Sequence, residues 1–210
     1  MSYELFVEVT RNGIVECRHC GAGVVCDYKG VVVESWGDIE SRVFPRSAVK
    51  PMLAIHLIES GASDRYVLND AELSLACSSH QGEQMHQDLV ESWLNRLGLT
   101  EDHLACGAVL PEHTERAHQL LAAGQQGCRL HHNCSGKHTG FLTTALHLNM
   151  PLDKYHLLEH PLQQVSLDIL SDLADIDLEQ YPMGVDGCGL PAPTMPLLQL
   201  AQATARFANP

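Results

Sequence analysis

The chain has 210 residues, 45% of them hydrophobic and 19% charged, which is ordinary for a globular protein with a buried core. Its formal net charge of −13 argues against nucleic acid or an anionic membrane as a partner. No apolar run approaches the roughly 18 residues of a membrane-spanning helix, and the N-terminus has no signal-peptide features, so we expect a cytoplasmic protein with reduced cysteines.

The first forty residues have the pattern of β-strands. Apolar side chains alternate with others from Leu5 to Thr10. Two β-rich runs, 21–26 and 31–36, flank residues 27–30, whose composition is typical of a hairpin turn. We therefore predict paired strands at the start of the chain.

After residue 46 the apolar periodicity becomes helical. An apolar stripe at helical spacing runs from Met85 to Leu97 and ends at Gly98. We predict further helices over residues 52–59, 112–123, 136–148, 161–174 and 196–207. A sheet formed early and followed by many helices predicts an α+β fold.

Ser47 and Lys50 form a candidate nucleophile and base. Residues three apart share one face of a helix, and Pro51 is tolerated only near a first turn, so the pair lies where a helix begins. A lysine can take a serine proton when burial or a nearby cation favours its neutral form. Because Ser-x-x-Lys occurs by chance in many chains, an N-cap serine with a surface lysine is the alternative.

Cys134 and Cys188 lie in two segments that have the composition of a metal site. Two thiolates suit zinc. The residues alone favour a histidine, His138, His131 or His132, as the third ligand, because a lysine must lose its proton before it can coordinate. The alternative is that both thiols are buried and inert.

Two other polar clusters carry weaker signals. Residues 77–83 place Ser79 before the helix that begins near Met85, where its hydroxyl either enters a cleft or belongs to a helix-initiation loop. Cys17 and Cys20 have the spacing of metal ligands, but no second Cys/His pair follows at a finger-like distance. Their position suits a turn between two strands, and we interpret them as structural.

Four motifs, taken together, resemble the rhizobial-type, or class 3, L-asparaginases of the asparaginase II family. In chain order they are Arg-Ser-x-x-Lys-Pro from Arg46, Cys-Ser-Ser-His-x-Gly-Glu from Cys77, His-Asn-Cys-Ser-Gly-Lys-His from His132 and Gly-x-Asp-Gly-Cys-Gly-x-Pro from Gly184. They span essentially the whole chain, and four ordered motifs are far more specific than any one. The resemblance implies a fold like that of the serine β-lactamases and penicillin-binding proteins, with an antiparallel sheet flanked by helices.

The resemblance also implies that a homodimer hydrolyses L-asparagine to aspartate and ammonia. Ser47 resembles the nucleophile with Lys50 as its base, and Ser79 resembles a second active-site serine. The zinc ligands that the resemblance implies, completed by a water, are Cys134, Lys137 and Cys188. Lys137 thereby replaces histidine as the third ligand, which is chemically possible because Zn²⁺ stabilises a deprotonated amine.

Charge and proximity to these motifs add three candidate substrate contacts. Asp186 suits the α-ammonium group of the substrate, and Arg46 or His138 suits its carboxylate. The alternatives are that Asp186 only shapes its glycine-rich loop and that Arg46 is a surface cation.

The chain departs from the family pattern in two places. Cys17 and Cys20 stand where family members usually have Glu-Ser-x-His-x-Gly, which supports an incidental role. Family members continue past residue 210 with closing strands and a lysine that pairs with the second serine. We therefore expect a single domain over residues 1–210 that is truncated at its C-terminal end, with Ser79 lacking a lysine. The alternative functions are a glutaminase, a β-lactamase-like serine hydrolase, or an inactive zinc-binding fragment.

Overall fold

The computed structural model describes residues 3–209, and its mixture of helices and short strands confirms the predicted α+β class. The chain divides into two compact units, one of residues 3–45, 170–182 and 193–209 and the other of residues 46–169 and 183–192. The single truncated domain stays a prediction. Within the described part, no helix combines the length and the apolar character needed to cross a membrane.

The secondary structure follows the predicted order. The strands are β1 (Glu4–Arg11), β2 (Ile14–Gly21), β3 (Gly23–Cys26), β4 (Val32–Trp36), β5 (Arg42–Val43), β6 (Met183–Val185), β7 (Pro191–Pro193) and β8 (Met195–Pro196). The α-helices are α1 (Lys50–Leu53), α2 (Ile55–Glu59), α3 (Ala62–Arg65), α4 (Asp70–Ala76), α5 (Gln84–Arg96), α6 (Thr114–Ala122), α7 (Ser135–His147), α8 (Pro161–Ala174) and α9 (Leu197–Phe207). The predicted helix over 52–59 is divided at Ala54 into the end of α1 and α2.

The strands pair in twos rather than in one continuous sheet. Over residues 3–209, β1 pairs with β2, β3 with β4, β5 with β8, and β6 with β7. The first three pairs are antiparallel. The resemblance implied a single antiparallel sheet, so the fold agrees with that expectation in class and strand direction but not in sheet size.

Two tight turns shape the hairpins of the first unit. Asn12 and Gly13 both have positive φ, as a two-residue turn between β1 and β2 requires. In the predicted turn over residues 27–30, the Asp27 carboxylate accepts the backbone N–H groups of Lys29 and Val31 at 2.9 Å. The prediction that Cys17 and Cys20 occupy a turn is wrong, because both lie within β2, where they are exposed and unbonded to other cysteines.

Helix α7 forms the centre of the second unit. Most of its residues are buried, and it packs against α2, α3, α4 and α5. Its neighbours in the core include Leu57 of α2 and Trp93 of α5. Gly136 allows the closest approach, since a Cβ atom there would lie 2.7 Å from the backbone oxygen of Leu75 in α4. This packing fixes the N-terminus of α7, on which part of the candidate site is built.

Candidate active site

A chain of hydrogen bonds, here called the serine chain, joins Lys50, Ser79 and Ser47. Lys50 Nζ donates to Ser79 Oγ at 2.6 Å, and Ser79 Oγ donates to Ser47 Oγ at 2.9 Å. Ser47 lies in a 3-10 turn, Arg46–Val49, that leads directly into α1, so Ser47 and Lys50 share a face. Lys50 is only 1% exposed, whereas both serines are exposed. The lysine therefore lies beneath two accessible hydroxyls.

The partner of Lys50 differs from the one predicted. Its ammonium donates to Ser79 Oγ and to the carbonyl oxygen of Ser78, the latter at 2.8 Å. Among residues 3–209 it makes no hydrogen bond to Ser47, which it reaches through Ser79. Ser79 therefore has Lys50 as a lysine partner, while the downstream lysine that the resemblance implies for Ser79 stays a prediction.

His80 holds the loop that carries Ser79. Its backbone N–H donates to the carbonyl oxygen of Asn133 at 3.2 Å, and its Nδ1 accepts the N–H of Gly82 at 3.1 Å. The ring proton is therefore on Nε2, which donates to Ser135 Oγ at 2.8 Å. Burial lowers the pKa of His80 to about 4, so the ring is neutral at pH 7. His80 thus ties the Ser79 loop to the start of α7.

A second group, here called the thiol cluster, consists of Cys134, Lys137, Asp186 and Cys188. Cys134 and Lys137 come from the N-terminal end of α7, and the other two come from the turn between β6 and β7. That turn closes because Gly189, at a φ of +89°, donates its N–H to the carbonyl oxygen of Asp186 at 2.8 Å. Lys137 Nζ donates to Cys188 Sγ at 3.2 Å, and Cys188 Sγ lies 3.4 Å from Asp186 Oδ2.

The two thiols of the cluster differ in acidity. A hydrogen bond from Cys188, together with the charges of Lys137 and Lys50, outweighs burial and lowers the pKa of Cys134 to about 6. The same bond and burial raise the pKa of Cys188 to about 11. Cys134 is therefore the more acidic thiol of the pair.

The thiol cluster has the donors and the spacing of a metal site. Donor atoms of Cys134, Asp186 and Cys188 all lie within 4.8 Å of one another. The distances of 3.2 Å and 3.4 Å within the cluster are close to the ligand separations of about 3.3–3.8 Å expected around a tetrahedral zinc ion. The residues therefore fit a zinc ion, and the structure adds Asp186 to the three predicted ligands as a fourth candidate donor.

Arg46 and Asp186, both predicted to bind substrate, form an ion pair. Arg46 Nη2 lies 3.1 Å from Asp186 Oδ1, with Arg46 largely exposed and Asp186 mostly buried. Burial opposes ionisation of Asp186, but the backbone N–H of Gly187 and the charges of Lys137 and Arg46 lower its pKa. Arg46 has a φ of +46°, an unfavourable value for a residue with a side chain.

One cavity of 240 Å³ connects the serine chain with the thiol cluster. Its lining includes Ser47, the two thiols Cys134 and Cys188, and the charged pair of Arg46 and Asp186. A hydroxyl, two thiols, an anion and a cation therefore face one small polar volume. This volume suits a compact charged molecule better than a drug-sized apolar one, which needs about 300–1,000 Å³.

His138 has a different environment from the other predicted site residues. It is 0% exposed and does not line the cavity. Its Nδ1 lies 2.6 Å from the hydroxyl of Tyr155, and burial lowers the pKa of His138 to about 4. Tyr155, for which the sequence gives no signal, thus contacts His138 and does not line the cavity.

Comparison with known proteins gives a family match. A family model described as L-asparaginase II matches residues 7–210, which is nearly the whole chain. No curated protein matches the chain.

Proposed function

The chain belongs to the L-asparaginase II family, and from this premise we propose that it hydrolyses the side-chain amide of L-asparagine to aspartate and ammonia. Family membership indicates an amidohydrolase with a small-molecule substrate. The observation that carries the proposal is the serine chain, which runs from buried Lys50 through Ser79 to Ser47 at the cavity. A nucleophile with a proton acceptor behind it is what attack on an amide requires.

In the proposed reaction Ser47 is the nucleophile. Ser47 Oγ attacks the amide carbonyl carbon, its proton passes to Ser79 Oγ, and the Ser79 proton passes to Lys50 Nζ. The amide nitrogen takes a proton back as the C–N bond breaks, and it leaves as ammonia. Water then hydrolyses the ester on Ser47 to release aspartate. In the structure Lys50 donates to Ser79, and Ser79 donates to Ser47. The reaction therefore starts when Lys50 is neutral and both hydrogen bonds have the opposite donor and acceptor.

Arg46 and Asp186 support a free amino acid as the substrate. Their opposite charges match an α-carboxylate and an α-ammonium group, and both side chains line the cavity beside Ser47. A bound amino acid would separate the ion pair and give each charge a new partner. His138 is a weaker candidate for the carboxylate because it is fully buried.

We further propose that Cys134, Lys137 and Cys188 hold a zinc ion, with Asp186 as an alternative donor. When bound, zinc supplies a fixed positive charge beside the cavity. Lys137 must be neutral to coordinate, and Cys188 must lose its proton, so the cluster binds the metal in exchange for protons. Lys137 and the two cysteines are buried, so their donor atoms are held in place.

The same membership carries three broader proposals. The first is a fold related to the serine β-lactamases and penicillin-binding proteins, for which the α+β class and antiparallel strand pairs give partial support. The second is a homodimer, and the third is a cytoplasmic location.

Ammonia release tests the proposed activity. We expect the wild-type chain to release ammonia from L-asparagine and Ser47→Ala to lose that activity, while Ser74→Ala, at an exposed position of α4, keeps it. Mass spectrometry of quenched reactions should place the acyl group on the peptide that contains Ser47. Near-normal turnover by Ser47→Ala would refute the nucleophile, and faster turnover of L-glutamine or a β-lactam would refute the substrate.

A further inference from the structure

The wall of the cavity includes a carboxylate, Glu112, that belongs to neither the serine chain nor the thiol cluster. Glu112 is exposed and lines the same volume as Ser47 and Asp186. Its Oε1 accepts a hydrogen bond from Asn133 Nδ2 at 2.7 Å. Among residues 3–209 no cationic side chain lies within ion-pair distance of Glu112, whereas Asp186 has Arg46 at 3.1 Å. Glu112 therefore brings a negative charge to the cavity that has no partner in the described chain.

The segment that carries Glu112 is fixed at both ends. The backbone N–H of Val109 donates to the carbonyl oxygen of Cys128 at 3.3 Å. The backbone N–H of His113 donates to the carbonyl oxygen of Gln81 at 3.0 Å. Because both hydrogen bonds join backbone groups that are distant in the sequence, they hold this segment against the rest of the site.

Two glycines allow the same segment to pack closely. A Cβ atom on Gly82 would lie 2.9 Å from the Cβ atom of Pro111. A Cβ atom on Gly127 would overlap the carbonyl oxygen of Val109. Larger residues at these two positions would push the segment away from its neighbours. The position of Glu112 is therefore set by packing before a ligand binds.

Asn133 orients the Glu112 carboxylate and connects it to the loop of the serine chain. Its side-chain amide donates to Glu112 Oε1, and its carbonyl oxygen accepts the backbone N–H of His80 at 3.2 Å. His80 directly follows Ser79 in the sequence. The second carboxylate oxygen of Glu112, Oε2, makes no hydrogen bond within the described residues. Asn133 therefore holds one oxygen in place and leaves the other able to accept a hydrogen bond from a ligand.

We propose that Glu112 binds the α-ammonium group of the substrate and thereby selects a free amino acid, an inference that rests on the proposed function. An ammonium group has three N–H donors, so it can bind Glu112 as well as Asp186. Binding to Glu112 breaks no ion pair, whereas Asp186 must first separate from Arg46. Glu112 thus favours a ligand with an amino group over one that has only the carboxylate and the amide.

Equilibrium binding to the full chain tests this role. The Ser47→Ala chain lacks the proposed nucleophile, so calorimetric titration can proceed without turnover. The ligands are L-asparagine and succinamate, in which a hydrogen atom replaces the α-ammonium group. In this background we expect Glu112→Gln to weaken the binding of L-asparagine about fivefold and to leave the binding of succinamate unchanged. The difference should decrease as salt is added, because the charge of an exposed carboxylate is screened.

The matched control is Glu115→Gln, which makes the same change of charge at an exposed position that does not line the cavity. We expect it to leave the binding of both ligands unchanged. An equal loss for both ligands in Glu112→Gln, or unchanged binding of L-asparagine, would overturn this inference alone and leave the proposed hydrolysis in place. A chain that binds neither ligand would refute the free amino acid as the substrate, and this inference with it.

Discussion

Two buried lysines of the candidate site, Lys50 and Lys137, donate hydrogen bonds to different kinds of atom. Lys50 donates to two oxygens, those of the Ser79 hydroxyl and the Ser78 carbonyl. Lys137, which is 5% exposed, donates to the sulfur of Cys188. The same type of side chain therefore belongs to the serine chain in one case and to a group of candidate metal donors in the other.

The two lysines also lie on different kinds of helix. Lys50 begins α1, a helix of four residues that follows a 3-10 turn. Lys137 belongs to α7, a helix of 13 residues that is buried on most sides. Proton transfer along hydroxyls requires only rotation about C–O bonds, whereas metal donors must keep fixed positions. Neighbouring atoms and the supporting element, rather than the residue type, therefore distinguish the two buried lysines.

The largest expected effect on activity comes from a change in the serine chain. Lys50→Met keeps the buried length of the side chain but removes the proton acceptor, so we expect asparagine turnover to fall by about 10²–10⁴ with zinc content unchanged. Lys29→Met, at an exposed position, is the control. The measurement is ammonia release together with metal analysis. Wild-type turnover in Lys50→Met would remove the distinction between the two lysines.

A change in the thiol cluster should instead affect zinc binding more than kcat. Cys134→Ala removes the thiolate of the cluster, so we expect loss of bound zinc and a rise in KM of about tenfold, with a smaller change in kcat. Cys106→Ala is the control, since Cys106 is also a buried thiol but does not belong to the donor group. Elemental analysis and steady-state kinetics measure both effects. Zinc retained in Cys134→Ala, or lost in Cys106→Ala, would show that the donors are misassigned.

Local sequence signals predicted much of the fold. The apolar stripe of α5 and the glycine after it were sufficient for that helix, and α6, α8 and α9 also lie where predicted. Two further features are local in the sequence: the Asn12-Gly13 turn, and the capping box at the start of α4, in which the side chains of Asn69 and Glu72 each accept the backbone N–H of the other residue. Both features depend only on neighbouring residues, so turn and cap residues in the sequence are sufficient to predict them.

The contacts of the site depend on tertiary structure and were less predictable. The Lys50 to Ser79 bond joins residues on separate elements, and no local spacing indicates it. His138 looked like a ligand or a substrate contact because it stands beside Lys137. Since α7 is buried on most sides, periodicity along it could not tell which residues face the cavity. Tyr155 carries no motif, and its contacts with Ala105 and His138 depend on tertiary structure.

The thiol side also depends on the packing of α7, which Gly136 permits. In Gly136→Ala the new Cβ would lie 2.5 Å from a side-chain carbon of Leu75 and 2.7 Å from its backbone oxygen. Overpacking of this kind costs about 1–3 kcal/mol, so we expect unfolding at lower urea concentration together with weaker zinc binding. Gly107→Ala, where a Cβ meets no atom within 4 Å, is the control. Equal losses in both variants would show that the close contact is not the cause.

The smallest expected effect is the pH dependence of the thiol pair in protein kept free of metal and reduced. Cys134 has a pKa of about 6 in the folded chain, because Cys188 donates to it and Lys137 and Lys50 lie near, against an ordinary thiol value of 9.0. Between pH 6 and 9 the unfolded chain therefore binds more protons at this residue than the folded chain, and the free energy of unfolding should rise with pH. Cys134→Ser removes this contribution. As pH increases from 6 to 9, the urea midpoint of the wild type should therefore rise relative to that of the variant. A constant difference between the two midpoints would mean that Cys134 has the pKa of an ordinary thiol. The contrast between the serine chain and the thiol cluster would then depend on the metal alone.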